Sequence, residues 1–350
     1  MKPGFALVAG GSGFIGRCII DHLLSTGWDV IALARKPPAI TRNRWISIDL
    51  TRLEDCRAKL AGIRNVSHLF YAARFDHPEG MPESVEINDA MLRNLVTTVE
   101  SAGALRHVHA VHGSKYYGYR AGEIVNPMRE DAPRGNTGNY YFAQQDFLHE
   151  HSAGKDWTYS TSRPHIFCDA VIDQPRSVGL LIAVFAAIQK ELGEPLDFPG
   201  NALGYRVLSQ FTDLKLLARA AEWMAQDSRC ANQSFNVVNG DTPSWADLWP
   251  GFAGFFGMRV GVPTDINLAD YMADKGKVWD AVVRKHGLRS TRLEELVLWP
   301  YGDTQFRRQR DAYSSMDKAR ALGFHDRVNS AEMFARHFDY FRAEKIIPTY

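Results

Sequence analysis

A glycine-rich junction constrains the fold of this chain more than any other feature. The segment VAGGSGFIG (8–16) joins a predicted strand to FIGRCIIDHLLSTG (14–27), in which apolar residues recur at helical spacing. At such a junction Gly10 allows a tight turn, Gly13 lets the backbone approach a pyrophosphate, and Gly16 lets the helix pack close to the strand. The pattern therefore predicts a strand–turn–helix unit that binds a dinucleotide.

The start of this helix would supply the hydrogen-bond donors. Backbone N–H groups of a first helical turn, here around Phe14 and Ile15, point outward and can face phosphate groups. We predict a phosphate site formed by Gly10, Ser12, Gly13, Phe14, Ile15 and Gly16. A purely structural turn is the alternative. The position of the glycines between a predicted strand and a predicted helix favours the dinucleotide.

Strands and helices alternate through the first half of the chain. The predicted strands are 4–10, 29–35, 45–50, 66–73, 105–113 and 158–164, and the helices are 14–27, 54–63, 84–103 and 140–154. Strands separated by helical crossovers indicate a parallel sheet wound on both faces. After Pro164 the alternation breaks down, and one further strand is predicted at 234–240.

The predicted fold class is therefore α/β, with a doubly wound parallel Rossmann sheet and a smaller, mostly helical C-terminal substrate lobe. We assign residues 1–165, with part of 205–240, to a nucleotide-binding domain. Residues 166–204 and 241–350 are assigned to a lobe that caps the C-terminal edge of the sheet, where open α/β sheets bind ligands.

Composition excludes several classes of function. The 350 residues are 45% hydrophobic and 23% charged with a net charge of +1, so neither a nucleic acid nor an anionic membrane is an expected partner. The longest apolar run after the N-terminus, VGLLIAVFAAI (178–188), is too short to cross a bilayer and predicts a buried helix. The four cysteines form no CxxC pair and are expected to be buried thiols in a reducing cytosol, which predicts a cytoplasmic protein.

The end of the second predicted strand indicates which dinucleotide binds. An NAD site usually places a carboxylate there for the ribose 2′-hydroxyl. This chain has Ala34 instead, followed by Arg35 and Lys36, and two cations suit the 2′-phosphate of NADP(H). A solvated basic loop is the alternative, but the missing acid favours NADP(H).

Further cofactor contacts are predicted at the ends of later strands. Asp49 and Leu50, after the third strand, would lie beside the adenine. Ala72 and Ala73, after the fourth strand, would leave room for the cofactor backbone. Val111, near the end of the fifth strand, completes this set of predicted contacts.

Two tyrosine-rich segments carry the predicted chemistry. In HGSKYYGYR (112–120) a lysine precedes the tyrosines, whereas NYYFAQQDF (139–147) has no lysine behind its tyrosine pair. Four residues after Tyr141 stands Gln145, and four residues after Tyr140 stands Gln144. Neither frame supplies a YxxxK pair.

The order of these motifs resembles the extended short-chain dehydrogenase/reductase superfamily. The shared features are the glycine pattern, LFYAA, HGSKYYG, the tyrosine helix, SRP and SMDKARALGF. Most members carry a Ser or Thr near the exit of strand five, where this chain has Gly113, and a YxxxK on the next helix. Backbone groups after the SRP proline commonly meet the nicotinamide, so the resemblance makes Pro164, His165 and Phe167 cofactor candidates.

The absent YxxxK is itself typical of one group. The chain resembles the progesterone 5β-reductase and iridoid synthase family, whose members carry a TGxKHY-like loop and an NFYY-like helix start. HGSKYY (112–117) matches the first motif with Lys115 in register, and NYYF (139–142) matches the second with Tyr141 in the place of the catalytic tyrosine. Three positions depart from the pattern, with His112 for Thr, Tyr116 for His and Tyr140 for Phe.

The resemblance implies reduction of the activated C=C of a small apolar α,β-unsaturated carbonyl compound. A hydride attacks the β-carbon, negative charge develops on the carbonyl oxygen, and Tyr141 and Lys115 would stabilise that charge. Two alternatives are a carbonyl reductase or nucleotide-sugar epimerase/dehydratase on the same fold, which the missing YxxxK lysine disfavours, and a non-catalytic NADP(H)-binding sensor. A homodimer is one expected assembly.

Other residues of catalytic type have plainer interpretations. His107 and His109 alternate on predicted strand five and His112 is out of step, so at most two share a face and no metal site is expected. The tyrosines at 116, 117 and 140 are expected to pack, and so are the tryptophans at 245, 249, 279 and 299, some of which could line the substrate pocket.

Overall fold

The structure is a computed structural model that describes residues 4–37, 44–75, 82–118, 124–135 and 138–350. The chain forms two compact units. The first consists of Met1–His165, Leu214–Val238 and Ser314–Asp326, and the second of Ile166–Asp213, Asn239–Tyr313 and Arg327–Tyr350. Residues 314–326 thus belong to the first unit, whereas the division predicted from sequence had assigned them to the lobe.

Strands are short in both units. In chain order they are β1 Phe5–Ala9, β2 Asp29–Ala34, β3 Arg44–Ser47, β4 His68–Tyr71, β5 His107–Val111, β6 Thr158–Arg163, β7 Ile166–Cys168, β8 Leu196–Phe198, β9 Phe211–Asp213, β10 Gln233–Asn236 and β11 Val260–Pro263.

Helices separate most of these strands. They are α1 Phe14–Ser25, α2 Leu53–Leu60, α3 Val85–Glu100, α4 Tyr140–Ser152, α5 Val178–Glu191, α6 Ala202–Arg206, α7 Leu214–Gln226, α8 Trp245–Phe255, α9 Leu268–Met272, α10 Gly276–His286, α11 Leu293–Leu296, α12 Trp299–Phe306, α13 Asp317–Ala321 and α14 Ser330–Ala343. Two 3₁₀ turns, Ser114–Tyr117 and Ser228–Cys230, complete the regular structure of the described residues.

The first unit is built on one parallel sheet. In the described residues its seven strands run in the order β10-β6-β5-β4-β1-β2-β3, and each neighbouring pair is parallel. Strands β1 and β2 are buried along almost their whole length, because helices cover both faces of a sheet of this kind. All the strands end at the same edge of the sheet, so the loops after β1, β4, β5 and β6 gather there.

Two apolar layers hold the helices on the sheet. Ala6 and Val8 of β1 face α1 and α7, while Leu7 and Ala9 face α2, α3 and α4, as the alternation of side chains along a strand requires. The layer on the second face includes Leu92 of α3 and Leu148 of α4. The predicted fold class, a doubly wound parallel sheet with a further helical region, is confirmed.

The second unit is mainly helical. It contains two pairs of parallel strands, β7 with β9 and β8 with β11, and an aromatic-rich core. Helix α5 is buried on all sides from Val178 to Gln189, which explains its unbroken run of apolar residues. The four tryptophans at 245, 249, 279 and 299 are core residues, as expected.

No helix in the described part of the chain has the length and the apolar character that crossing a membrane requires. Cys56, Cys168 and Cys230 are buried, as expected, but Cys18 of α1 is only half-buried and packs at the margin of the apolar layer on that face of the sheet.

Candidate active site

The loop after β1 can exist only with glycine at two of its positions. Gly10 has a φ of +79°, and a Cβ there would lie 2.6 Å from the carbonyl oxygen of Ala72. A Cβ on Gly16 would lie 2.2 Å from the carbonyl oxygen of Gly10. The loop therefore packs closely against the start of α1 at Gly16 and against the end of β4 at Gly10, and only a residue without a Cβ allows this close approach.

The same loop presents a helix N-terminus at the functional edge of the sheet. Helix α1 begins at Phe14, and its N-cap residue, Gly13, is extended and brings no capping side chain. Ser12 is exposed and Ile15 is half-buried. An uncapped N-terminus of a three-turn helix is suited to an anion, because its dipole and its N–H groups both favour negative charge.

The predicted 2′-phosphate residues follow β2 directly. Arg35 and Lys36 are both exposed. Strand β3 ends at Ser47, so Asp49 and Leu50 lie in the loop beyond it rather than at its end. Asp49 accepts hydrogen bonds from the Thr51 N–H at 3.0 Å and the Thr51 hydroxyl at 2.7 Å.

The environment of Asp49 keeps it ionised. The Thr51 hydrogen bonds are the main reason that its pKa lies below the usual value, and the positive charge of Arg35 contributes. Leu50 is buried, and its carbonyl oxygen accepts from the Asn94 side chain at 2.9 Å. One carboxylate oxygen of Asp49 therefore accepts hydrogen bonds within its own turn. The charged side chains that directly follow β2 are those of Arg35 and Lys36.

The loops after β4, β5 and β6 complete the edge. Ala72 and Ala73 come directly after β4, and Val111 is the last residue of β5. The backbone N–H of Ser114 donates to the carbonyl oxygen of Pro164 at 2.9 Å, which ties the exit of β5 to the exit of β6.

The two predicted residues after Pro164 lie in different units. His165 ends a segment of the first unit, is buried, and its Nε2 lies 2.8 Å from the Ser314 hydroxyl. Phe167 belongs to β7 in the second unit. His165 therefore has a structural partner of its own within the sheet-bearing unit.

Tyr141 lies in the first turn of α4. The Asn139 side chain caps this helix by accepting the Tyr141 N–H at 3.0 Å, which fixes the backbone of the tyrosine. The tyrosine is buried, and its hydroxyl oxygen would lie only 3.3 Å from a Cβ on Gly113. The hydroxyl thus reaches the backbone at the exit of β5, where a larger residue than glycine would crowd it.

Two aromatic rings enclose Tyr141. The His112 ring stacks on it with centroids 4.8 Å apart and an interplanar angle of 23°. The Tyr140 ring meets it edge-on, with centroids 4.5 Å apart and an angle of 65°. His112 and Tyr140 are both buried, so the predicted packing role of Tyr140 brings it into contact with the candidate catalytic tyrosine.

Lys115 lies on the 3₁₀ turn that follows β5. Its Nζ donates to both carboxylate oxygens of Glu83, at 2.9 Å each, and Arg74 Nη1 donates to Glu83 Oε1 at 3.0 Å. Burial alone would raise the pKa of Glu83, but the two cations outweigh it and hold the pKa below its usual value. Two positive charges therefore share one carboxylate beside the loop after β4.

Sequence reasoning did not find Glu83. It precedes Ser84, whose hydroxyl caps α3 by accepting the Ile87 N–H at 3.2 Å, so its local pattern indicates only a helix start. Lys115 lies 32 residues further along the chain, and only the fold brings the two together.

The side chain of Gln145, at the position of the absent YxxxK lysine, is hydrogen-bonded within the structure. Gln145 Oε1 accepts from Arg163 Nη2 at 3.1 Å. Arg163 is fully buried, donates to the Tyr117 hydroxyl at 3.0 Å, and lies 3.5 Å above the centre of the Tyr116 ring. Gln144 donates instead to the Asn88 carbonyl at 2.8 Å. A lysine at position 145 would therefore lie beside the buried guanidinium of Arg163, and the two positive charges would repel each other.

The histidines of β5 belong to the sheet. His107 and His109 share a face, and the Ser160 hydroxyl lies between them, 2.8 Å from His107 Nε2 and 2.9 Å from His109 Nδ1. Burial lowers the pKa of His109 to about 3, so its ring is neutral. The described residues contain no group of histidine, cysteine or carboxylate side chains arranged to hold a metal ion.

Comparison with known proteins shows the family to which this chain belongs. The model of the PRISE-like Rossmann-fold domain matches residues 6–348, which is almost the whole chain. The chain belongs to this family. The resemblance to progesterone 5β-reductase and iridoid synthase found from the tyrosine and lysine motifs is thereby confirmed.

Curated relatives are similar to this chain over more than nine-tenths of their own length. A (S)-8-oxocitronellyl enol synthase of Nepeta cataria is 33% identical over 367 residues, covering 98% of this chain and 92% of the relative. The 3-oxo-Δ(4,5)-steroid 5β-reductase of Arabidopsis thaliana is 31% identical over 366 residues, covering 98% and 93%.

Solved structures share the fold at lower identity. MoeE5 in complex with UDP-glucuronic acid and NAD aligns with a TM-score of 0.69 at 22% identity, over 97% of this chain and 99% of that chain. The UDP-glucose 4-epimerase of Thermotoga maritima aligns with a TM-score of 0.67 at 16% identity, over 97% and 99%. At these identities the likeness concerns the fold alone.

Proposed function

We propose that this protein is an NADPH-dependent reductase of the activated C=C bond of α,β-unsaturated carbonyl compounds. The observation that carries the proposal is the placement of Tyr141. Its hydroxyl lies at the exit of β5 beside Gly113, and Lys115 follows on the adjoining turn. Gln145 occupies the position of the usual YxxxK lysine, and its side chain accepts a hydrogen bond from the buried Arg163.

The names of the relatives support the same chemistry. A 3-oxo-Δ(4,5)-steroid 5β-reductase, by its name, reduces a double bond conjugated to a ketone. A (S)-8-oxocitronellyl enol synthase, by its name, makes an enol, which is the protonated form of the species that conjugate addition of hydride produces. Both names suit a site that stabilises negative charge on a carbonyl oxygen.

The chain fits the proposed cofactor. The loop of Gly10 and Gly16 leaves no room for a Cβ and presents the N-terminus of α1, which suits a pyrophosphate. Arg35 and Lys36 stand where a ribose-binding acid would select NAD, and both are exposed to a ligand's 2′-phosphate. The specificity for NADPH over NADH is part of the proposal.

NADPH bound here would supply a hydride to the β-carbon of the substrate, with the C=C π pair shifting into the bond between the α-carbon and the carbonyl carbon and the C=O π pair moving to the oxygen. The Tyr141 hydroxyl donates a hydrogen bond to that oxygen as its charge develops, an interaction worth about 3–4 kcal/mol for a well-placed donor. Lys115 adds positive charge nearby. An ammonium has three N–H donors, and Glu83 accepts from Lys115 through both oxygens, which orients the group. The α-carbon is protonated afterwards.

The carbonyl reductase and epimerase alternatives are not favoured. Most members of the extended short-chain dehydrogenase/reductase superfamily that interconvert an alcohol and a ketone use a tyrosine as the proton donor or acceptor, with a lysine at the fourth following position. Here that position is Gln145, and its side chain accepts from Arg163.

A panel of small enones and enals with NADPH tests the proposed reaction. We expect a saturated carbonyl product, identified by its mass and chirality. If the product is instead the allylic alcohol, the carbonyl oxygen was reduced directly and the proposal is wrong. The expected small apolar substrate, a homodimer and a cytosolic location stay predictions, to be checked with the same panel, by light scattering and by fractionation.

A further inference from the structure

The ring of Tyr141 is held on two sides by residues that have no direct part in the proposed reaction. His112 stacks on it at 4.8 Å and Tyr140 meets it edge-on at 4.5 Å. All three rings are buried. A phenol enclosed in this way has lost most of its torsional freedom, so its hydroxyl keeps its place beside Gly113.

The hydroxyl of Tyr140 adds direction to this contact. The two phenol side chains interact where their rings meet edge-on, and burial is the main cause that raises the pKa of Tyr140 well above its usual value, so Tyr140 keeps its proton and is able to donate to the Tyr141 oxygen. A tyrosine oxygen can accept hydrogen bonds while its own O–H donates another. When Tyr140 donates to Tyr141, the Tyr141 proton is directed elsewhere, which is what donation to a substrate oxygen requires.

His112 acts through its ring rather than its nitrogens. Among the described residues, neither ring nitrogen makes a well-aligned hydrogen bond, and the one polar side chain that acts on the ring, Gln144, only partly opposes the lowering of its pKa. Burial is the main cause that lowers the pKa of His112 to about 3, and Arg163 adds to it, so the ring is neutral. Stacking therefore fixes the ring, and His112 brings no charge to the place where an oxyanion forms.

We propose that Tyr140 and His112 are positioning residues that hold the Tyr141 hydroxyl at Gly113 and direct its proton toward the substrate. This inference rests on the proposed role of Tyr141 as a hydrogen-bond donor. It assigns a function to two positions at which the chain departs from the family pattern of Phe and Thr, and it makes Tyr140 more than a packing residue.

The decisive variant is Tyr140→Phe, which removes one hydroxyl and keeps the ring. We expect kcat on an enone to fall about three- to tenfold, the loss typical of one hydrogen bond. The KM for the enone and the Kd for NADPH should stay within twofold. Tyr159→Phe is the matched control, because it removes another buried tyrosine hydroxyl of the same unit, 3.5 Å from His149, and should leave kcat unchanged.

A double-mutant cycle separates positioning from general stability. If Tyr140 acts through Tyr141, adding Tyr140→Phe to Tyr141→Phe should cost no further activity. A merely structural hydroxyl would reduce the residual rate of Tyr141→Phe by the same factor as it reduces the wild type, and that result would overturn the proposal. So would a Tyr140→Phe enzyme with wild-type kcat.

The stacking is tested by two replacements of His112. His112→Thr removes the stacked ring and should lower kcat about three- to tenfold, while His112→Phe keeps a ring and should recover most of that loss. An equal loss in both variants, with thermal unfolding showing both to be folded, would overturn the stacking role. If Tyr141→Phe itself keeps full kcat, the role of Tyr141 under the proposed function fails first. A normal loss in Tyr141→Phe with none in Tyr140→Phe rejects only the present inference.

Discussion

Lys115 donates to both carboxylate oxygens of Glu83, at 2.9 Å each, and Arg74 binds the same carboxylate. This pairing gives the candidate catalytic lysine a fixed position, although its ammonium is carried on a flexible four-carbon stem. The negative charge of Glu83 also offsets part of the positive charge of Lys115 and Arg74 before any substrate binds.

Removing the lysine should slow the reaction without unfolding the protein. Lys115→Met keeps most of the stem volume and removes the charge, and Arg74 still neutralises Glu83. We expect kcat on an enone to fall about tenfold or more, measured with chemistry shown to be rate-limiting. Lys59→Met, at an exposed position on α2, is the control and should have no effect. An unchanged kcat in Lys115→Met would make Lys115 an ordinary loop lysine.

The ion pair makes a linked prediction about Glu83. Glu83→Gln removes the charge that holds the ammonium, so kcat should fall severalfold. The loss should disappear in the Lys115→Met background, because the substitution acts through the lysine. Equal losses in both backgrounds would show that Glu83 contributes independently of Lys115.

Loss of the Tyr141 hydroxyl should affect chemistry rather than cofactor binding. Tyr141→Phe should lower kcat by about one to three powers of ten, because one donor to the developing oxyanion is lost. The Kd for NADPH, measured by fluorescence titration, should change little, since the loop of Gly10 is untouched. The losses in Tyr141→Phe and Lys115→Met should not add, because both residues act on one oxygen. Full additivity would place them in separate steps.

A lysine at position 145 should not help. In an enzyme that had merely lost its YxxxK lysine, Gln145→Lys would raise activity. Here Gln145 accepts from the buried Arg163, and a lysine would remove that acceptor and add a second cation. We expect a loss of about 1–3 kcal/mol in the free energy of unfolding and no gain in kcat. Gln145→Glu keeps the acceptor and is the matched control, expected to be far better tolerated.

The residues after β2 should select the cofactor. Charge-assisted contacts to a phosphate contribute about 1.5–3 kcal/mol each, so kcat/KM should favour NADPH over NADH more than tenfold. Replacing Arg35 and Lys36 by alanine should reduce that preference at least tenfold by weakening NADPH alone. Arg64→Ala, at an exposed basic position outside the loop, should leave the ratio intact. Equal efficiency of the wild type with both cofactors would refute the assignment.

Stability should depend on pH through the buried histidines. Burial lowers the pKa of both His109 and His112 to about 3, whereas an unfolded histidine titrates near 6.5. Between these values the unfolded chain binds protons that the folded chain excludes, so the free energy of unfolding falls as pH falls. Each such group contributes a slope of about 1.4 kcal/mol per pH unit. Denaturation with urea between pH 7 and pH 5 measures it. His112→Phe should remove one such contribution, and an unchanged slope would show that His112 is protonated in the folded state.

The fold was predictable because its signals are local. The glycines at 10, 13 and 16 indicate a strand–turn–helix unit, and several further strands of the sheet, such as β2 and β4, are short apolar runs that alternate with helical segments. Local patterns also made Tyr141 and Lys115 candidate residues, since each stands in a motif of a few residues that resembles the family pattern, and their catalytic roles stay predictions. The extent of β3 was overestimated because the apolar pattern continues to Leu50 after the strand has ended at Ser47.

The remainder of the site depends on contacts between distant segments. Glu83 meets Lys115 across 32 residues, and Arg163 meets Gln145 across 18. No periodicity or motif encodes such pairs, because each partner is an ordinary charged or polar residue until the sheet brings them together. The positioning role proposed for Tyr140 has no local signal for the same reason, since a packing tyrosine and a hydrogen-bonding one have the same sequence pattern.

The buried guanidinium of Arg163 also bears on how enzymes of this fold diverge. It binds Gln145 and the Tyr117 hydroxyl and lies against the Tyr116 ring, so the site of the missing lysine is coupled to the core of the sheet. A lysine introduced at position 145 alone would place a second cation against Arg163, so we expect the lysine to be tolerated only together with a replacement of Arg163. The two positions are then expected to be epistatic, and a change of chemistry on this fold would need both substitutions.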